Sequence, residues 1–155
     1  VDIRGNVETR IRKMEEEKLD GLVLAAAGVK RLNLADIITQ YLEHNEMVPA
    51  PGQGALAIET AEGRDDIFEL LKSFEDENVT RAVAAERHFL TLMGGGCQMP
   101  VGAIGDTEGD NVYLKVMHSD ESGEHIAFAK ASGKTSEEAA ENAVKQLHKQ
   151  RKEYR

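Results

Sequence analysis

The amino-acid sequence predicts an α/β segment followed by a small α+β unit built from a three-stranded antiparallel sheet and helices. Two observations carry this. Up to about residue 48, strand-length apolar runs alternate with helical spacing, the order of a βαβ unit with parallel strands. From about residue 77, a long helical stretch leads into three strand-like segments joined by short turns, which demand antiparallel pairing, and a last helix closes the chain. The reading divides the chain into 1–48, a hinge and connecting segment over 49–76, and an α+β unit over 77–155.

Val1-Asp2-Ile3 is expected to be a short strand, turning at Gly5-Asn6 into a charged helix from Val7 to Glu17. Gly21 to Ala26 is a continuous apolar run of strand length, the pattern of a strand covered on both faces. Leu34, Ile37, Ile38, Tyr41 and Leu42 recur at the spacing of an amphipathic helix. Pro49 and Pro51 break that pattern, Gly52 and Gly54 follow, and Ala55 to Glu59 is expected to resume as a strand. Asp65 to Phe74 predicts a short helix, and Asn78 to Met93 a longer one, capped by Asn78 and ending at Gly94. Strands are expected over Val101–Asp106, Asn111–Ser119 and His125–Ser132. Thr135 and Glu138 have capping-box spacing, and the helix they open places Ala140, Ala143, Val144 and Leu147 on one face. The charged tail from Lys149 to Arg155 is expected to fray.

With 41% hydrophobic and 30% charged residues, the chain has material for both a core and a solvated surface. No apolar run approaches the roughly 20 residues of a membrane span, and Val1 to Arg10 has no signal-peptide pattern. A cytoplasmic address and no membrane partner are therefore expected. The net charge of -9 disfavours nucleic acid as a partner. The single cysteine cannot form an intrachain disulfide, which fits a reducing compartment. No cluster of residues calls for a metal.

Three segments could carry chemistry. Gly94-Gly95-Gly96-Cys97-Gln98-Met99-Pro100 places a cysteine on a glycine-rich loop directly after a helix, where a large group can approach the sulfur. A lone cysteine behind a helix cap is otherwise an ordinary buried residue, and no neighbouring His or Asp forms a local activating pair. A disulfide redox role is disfavoured because there is no resolving cysteine. Arg4 to Arg10 puts one arginine at a strand end and another near the start of a helix, a placement suited to carboxylates. Arg10, Arg12 and Lys13 are equally well read as a solvated helix face. Lys30-Arg31, after Gly28, lies at a second strand-to-helix turn, and two such turns side by side form the usual ligand position of α/β folds. Pro49 to Ala55 has the composition of a hinge, or of an ordinary loop.

Taken together, Arg4-Gly5-Asn6-Val7, Ala26-Ala27-Gly28-Val29-Lys30-Arg31-Leu32, Pro51-Gly52-Gln53-Gly54-Ala55 and Gly95-Gly96-Cys97-Gln98-Met99-Pro100-Val101-Gly102 resemble the hydroxymethylbilane synthase (porphobilinogen deaminase) family, in that order and at its spacing. The resemblance covers nearly the whole chain. Pro51 stands where the family usually has valine, and Met99 is a second apolar exchange.

The resemblance implies a transferase of tetrapyrrole (porphyrin, heme) biosynthesis that condenses four porphobilinogen molecules into hydroxymethylbilane and releases ammonia. It implies a dipyrromethane cofactor joined by a thioether to Cys97, with the growing pyrrole chain extended from it. Arg4, Arg10 and Arg31 map onto the arginines that receive pyrrole carboxylates, with Gly28 and Lys30 shaping the same wall. Family members are usually monomeric, with two domains resembling periplasmic binding proteins and a third, smaller α+β domain. Residues 1–48 match the closing part of the second domain, 49–76 include chain that returns to the first, and 77–155 match the third. The family's catalytic aspartate lies in an N-terminal half with no counterpart here, so no catalytic residue is assigned. Beginning at Val1 inside a strand signal, the chain is expected to be a fragment or one half of a split enzyme, inactive alone. The alternative is a non-catalytic tetrapyrrole-binding or subunit-like module.

Overall fold

Helices α1 (Val7–Glu16) and α2 (Ala26–Arg31) and a single 3-10 turn (Ala35–Ile37) are the regular elements of the first of two compact units, Val1–Glu43. The computed structural model describes residues 1–95, 100–120 and 122–153, the last three by backbone alone. Asn6 caps α1 by accepting the Thr9 N–H at 2.8 Å, and Glu8 in the first turn complements the helix dipole. Both helices stop in the same way. At α1, Lys18 turns left-handed and the amides of Lys18 and Leu19 bond back to Glu15 and Met14; at α2, Asn33 does so, and Asn33 and Leu34 bond to Lys30 and Val29.

The expected βαβ unit is not formed: among the described residues, neither Val1–Ile3 nor Gly21–Ala26 is a strand. Ala25 keeps extended dihedrals and α2 begins at Ala26, so the apolar run leads straight into the helix without joining a ladder. Its Val23 is 61% exposed. An apolar run specifies that it favours burial, but strand backbone needs a hydrogen-bonding neighbour, and an isolated pair of short strands is marginal in water. The helix expected through Leu34 to Leu42 is likewise reduced to the 3-10 turn, with Ile37, Tyr41 and Leu42 exposed. Only Leu34 and Ile38 of its apolar stripe are half-buried, and short helices owe most of their stability to such packing.

The second unit, His44–Arg155, holds α3 (Asp65–Leu71), α4 (Glu77–Leu92), strands β1 (Val101–Glu108), β2 (Asn111–Ser119) and β3 (Ile126–Gly133), and α5 (Ser136–Glu153). The strand expected over Ala55–Glu59 is absent, with Leu56 and Ile58 exposed. The helix expected over Asp65–Phe74 is α3 followed by a 3-10 turn, Lys72–Phe74. The three strands form an antiparallel meander, β1-β2-β3, with Glu108 opposite Asn111 across a two-residue turn. Val112, Leu114 and Val116 alternate inward on β2 and meet Ala85 and Phe89 of α4 and Ala139, Ala140, Ala143 and Leu147 of α5. A Cβ at Gly105 would lie 2.6 Å from the Ala82 carbonyl oxygen, so glycine is what lets β1 approach α4 so closely.

Helix α4 starts earlier than expected. Its cap is Asp76, whose carboxylate accepts the amides of Asn78 and Val79 at 3.0 and 3.2 Å. A carboxylate at a helix start gains from the dipole as well as from the hydrogen bonds, and Asn78 is left inside the first turn. Asp76→Ala is therefore expected to lower stability by about 1 kcal/mol, and Asn78→Ala by clearly less; urea unfolding of the two variants checks the order. At α5, Thr135 Oγ1 accepts the Glu138 amide at 3.2 Å, while the Glu138 carboxylate reaches the Lys134 amide at 2.6 Å. The charged tail stays helical through Glu153 rather than fraying from Lys149. Extending an anchored helix needs no new nucleus, and basic residues suit its C-terminal end.

Candidate functional site

In the first unit the start of α1 is knitted by its own basic residues. Arg10 Nε donates to the Gly5 carbonyl at 2.7 Å, Lys13 Nζ to the Arg4 carbonyl at 3.2 Å, and Arg4 Nε to Asp2 at 3.0 Å. Arg4 and Asp2 are both largely exposed, so this pair contributes little to stability and leaves the Arg4 guanidinium accessible. Arg10 keeps its terminal nitrogens without a partner among the described residues. An anion arriving at the root of α1 would meet the Arg10 guanidinium already oriented by the Gly5 carbonyl.

Gly28 lies in α2, and a Cβ built on it would sit 3.7 Å from Val7 Cγ2, an ordinary contact. The start of α1 and the body of α2 are therefore neighbours, but Lys30 and Arg31 fall in the last turn of α2 and not at the strand-to-helix turn expected for them. Lys30 places its ammonium 4.8 Å from the centre of the Tyr41 ring, a cation–π contact that holds it along the unit's own surface. Arg31, in the last turn of α2, has no ion pair among the described residues.

In the second unit, α4 delivers the chain to the cysteine-bearing segment. Its C-cap is Met93; Gly94 at φ +106° and Gly95 at φ +62° follow, their amides bonding back to Thr91 and Leu90. A Cβ at either glycine would meet nothing within 4 Å, so the root of the segment borders open space. Cys97 itself lies outside the described residues. The chain is described again from Pro100, whose carbonyl accepts the Ser119 amide at 2.9 Å and so pins the far end of the segment to β2.

Sequence reasoning missed one residue of this region. Glu86 of α4 is only 6% exposed, yet it accepts the Gly52 amide at 2.6 Å and the Gly105 amide at 2.7 Å. The available signal was a charged residue on the helix face that also presents Ala82, Ala85 and Phe89 to the core. Through these bonds, and through the Ala103 amide on the Pro49 carbonyl at 2.9 Å, the expected hinge loop lies along the outer edge of β1.

Comparison with known proteins gives this geometry its context. Residues 1–69 match the family model "Porphobilinogen deaminase, dipyromethane cofactor binding domain", and residues 80–153 match "Porphobilinogen deaminase, C-terminal domain". Proteins named porphobilinogen deaminase are similar along most of the chain. That of Oceanobacillus iheyensis is 42% identical over 146 residues, covering 94% of this chain and 47% of that protein. That of Clostridium novyi is 43% identical over 157 residues, covering 96% and 52%. That of Syntrophotalea carbinolica is 55% identical over 103 residues, covering 66% and 33%. The chain spans about half the length, or less, of these curated relatives. Both halves of the chain match domains of one family, in order, and the chain belongs to the porphobilinogen deaminase family.

Proposed function

We propose that this chain acts as the C-terminal part of a hydroxymethylbilane synthase, a transferase that joins four porphobilinogen molecules into hydroxymethylbilane with release of ammonia. The observation that carries the reading is the pair of family models in chain order, the first of them a dipyrromethane cofactor-binding domain. The residues present fit that cofactor. A thiol follows two glycines that open the root of its segment, and exposed guanidinium groups suit the acetate and propionate side chains of pyrroles. When bound, the dipyrromethane supplies the terminal pyrrole carbon from which the chain grows.

Cys97 is the attachment point in this reading. Its thiolate forms a carbon–sulfur bond to a pyrrole methylene as the carbon–nitrogen bond to ammonia breaks, the thiol proton leaving with the ammonia. Arg4, Arg10 and Arg31 hold pyrrole carboxylates, and Gly28 and Lys30 shape the wall beside them. Residues 1–48 serve as the closing part of a binding-protein-like domain, 49–76 return toward a first domain, and 77–155 form the cofactor-bearing domain. The partner is the N-terminal half, which supplies the catalytic aspartate. Leu56, Ile58, Phe68, Leu70 and Phe74 are all large and exposed, and offer that half apolar side chains to cover. The complete enzyme works as a cytoplasmic monomer; no helix among the described residues is long and apolar enough to cross a membrane.

Arg10→Ala in the complete enzyme is expected to slow cofactor assembly or elongation about 10- to 100-fold, the worth of a charge-assisted hydrogen bond, with little change in melting temperature. Arg10→Lys is expected to recover only part of the loss, because a point charge replaces a planar fork. Turnover with porphobilinogen, measured beside thermal unfolding, checks both. Unchanged turnover and cofactor content in Arg10→Ala would remove Arg10 from the site.

A further inference from the structure

We infer that Glu86 is a positioning residue for the cysteine-bearing segment: its single carboxylate locks α4, β1 and the 49–54 loop into one arrangement. The inference rests on the function proposed above for Cys97. Helix α4 and strand β1 hold the two ends of the segment, with Leu92 as the last helical residue before it and Val101 as the first strand residue after it. Glu86 belongs to the first of these elements. It accepts the amide of Gly105 in the second through Oε1, and the amide of Gly52 through Oε2. Both distances, 2.7 and 2.6 Å, are at the short end for N–H donors and have the length of charge-assisted bonds.

Glu86 is buried and has no ion pair among the described residues. Its neighbours on α4, Ala82, Ala85 and Phe89, are core residues. A carboxylate is costly to keep there, and a leucine would fill the same volume without that cost. What leucine cannot do is satisfy two backbone amides from separate segments. Gly105 presents its amide on the outer edge of β1, where no further strand pairs among the described residues, and Gly52 presents its own from a turn at φ +77°. Without Glu86, the loop keeps the Pro49 carbonyl on the Ala103 amide but loses its hold on α4. The tie between α4 and β1, the two elements that flank the cysteine segment in the chain, then loosens, while the three-stranded sheet persists.

Glutamine at position 86 preserves shape, but its amide nitrogen would face one of the two N–H donors, so only one tether survives; alanine removes both. Two measurements test the inference. In the full chain, Glu86→Gln should speed hydrogen exchange at Gly52 or Gly105, and Glu86→Ala at both, with the β2–β3 amides unchanged. In the complete enzyme, both variants should bind porphobilinogen with KM within about twofold of the parent. Their turnover per folded molecule should fall about 10- to 100-fold, the cost of a small misplacement at a reacting centre, with alanine the worse. A merely structural role would lower the melting temperature and leave turnover per folded molecule unchanged, and that result overturns the inference. So would unaltered exchange at both glycines. If instead Cys97→Ser still carries covalent pyrrole, it is the proposed function that fails; the exchange experiment still judges the tether.

Discussion

Replacing Cys97 by serine in the complete enzyme is expected to give a folded protein with no covalently attached pyrrole and no turnover. A hydroxyl ionises far less readily than a thiol near neutral pH, and in the proposed function the thiolate is the nucleophile that forms the carbon–sulfur bond. The change is nearly isosteric, so stability should move little. Intact mass spectrometry together with a pyrrole colour reaction reads the outcome directly. A Cys97→Ser protein whose mass still includes two pyrrole units would rule out this residue as the anchor. Bulky substitution at Gly96 is a companion case: loading should fall although the sulfur is intact, because a side chain beside Cys97 competes for the space the first pyrrole ring needs.

Phe89→Ala is expected to remove a large share of the stability of the second unit. Phe89 is completely buried in the core that α4 shares with Leu114 and Val116 of β2 and Leu147 of α5. Truncating a buried phenylalanine costs about 3–5 kcal/mol through lost transfer energy and the cavity left behind. Whole domains are stable by only about 5–15 kcal/mol. Leu92→Ala, one turn further along α4 at a 43% exposed position, should stay within about 0.5 kcal/mol and serves as the control. Urea unfolding followed by circular dichroism distinguishes them. Equal midpoints for the two variants would mean that α4 is not packed as described.

The contrast between the two units shows what a sequence can specify by itself. β1, β2 and β3 are legible because each has its partner nearby in the chain, so alternation and turn residues determine the pairing locally. Helix α5 is legible because Thr135 and Glu138 mark its start and a small-residue stripe marks its buried face. Gly21 to Ala26 carries an equally clear apolar signal but forms no strand, because hydropathy records a preference for burial and not the identity of the covering surface. The cap of α4 was displaced by two residues because Asp76 and Asn78 both offer acceptors, and only the backbone path decides between them. In the candidate site, Cys97 and the arginines stand out by residue type and resemblance. Glu86 does not, since its role depends on amides 34 and 19 residues away.

The left-handed stop at Gly94 and Gly95 bears on which changes in length this part of the chain can accept. Each residue of an α-helix advances about 100° and 1.5 Å. With Glu86 held by Gly52 and Gly105, the azimuth at which the chain leaves α4 is set by counting residues from Glu86 to Gly94. Inserting or deleting one residue in that interval would send the chain off another side of the helix, even with every residue of the following segment unaltered. Substitution at an outward position such as Arg87 leaves that count intact. This stretch of the gene can therefore vary in spelling at its exposed positions but not in length.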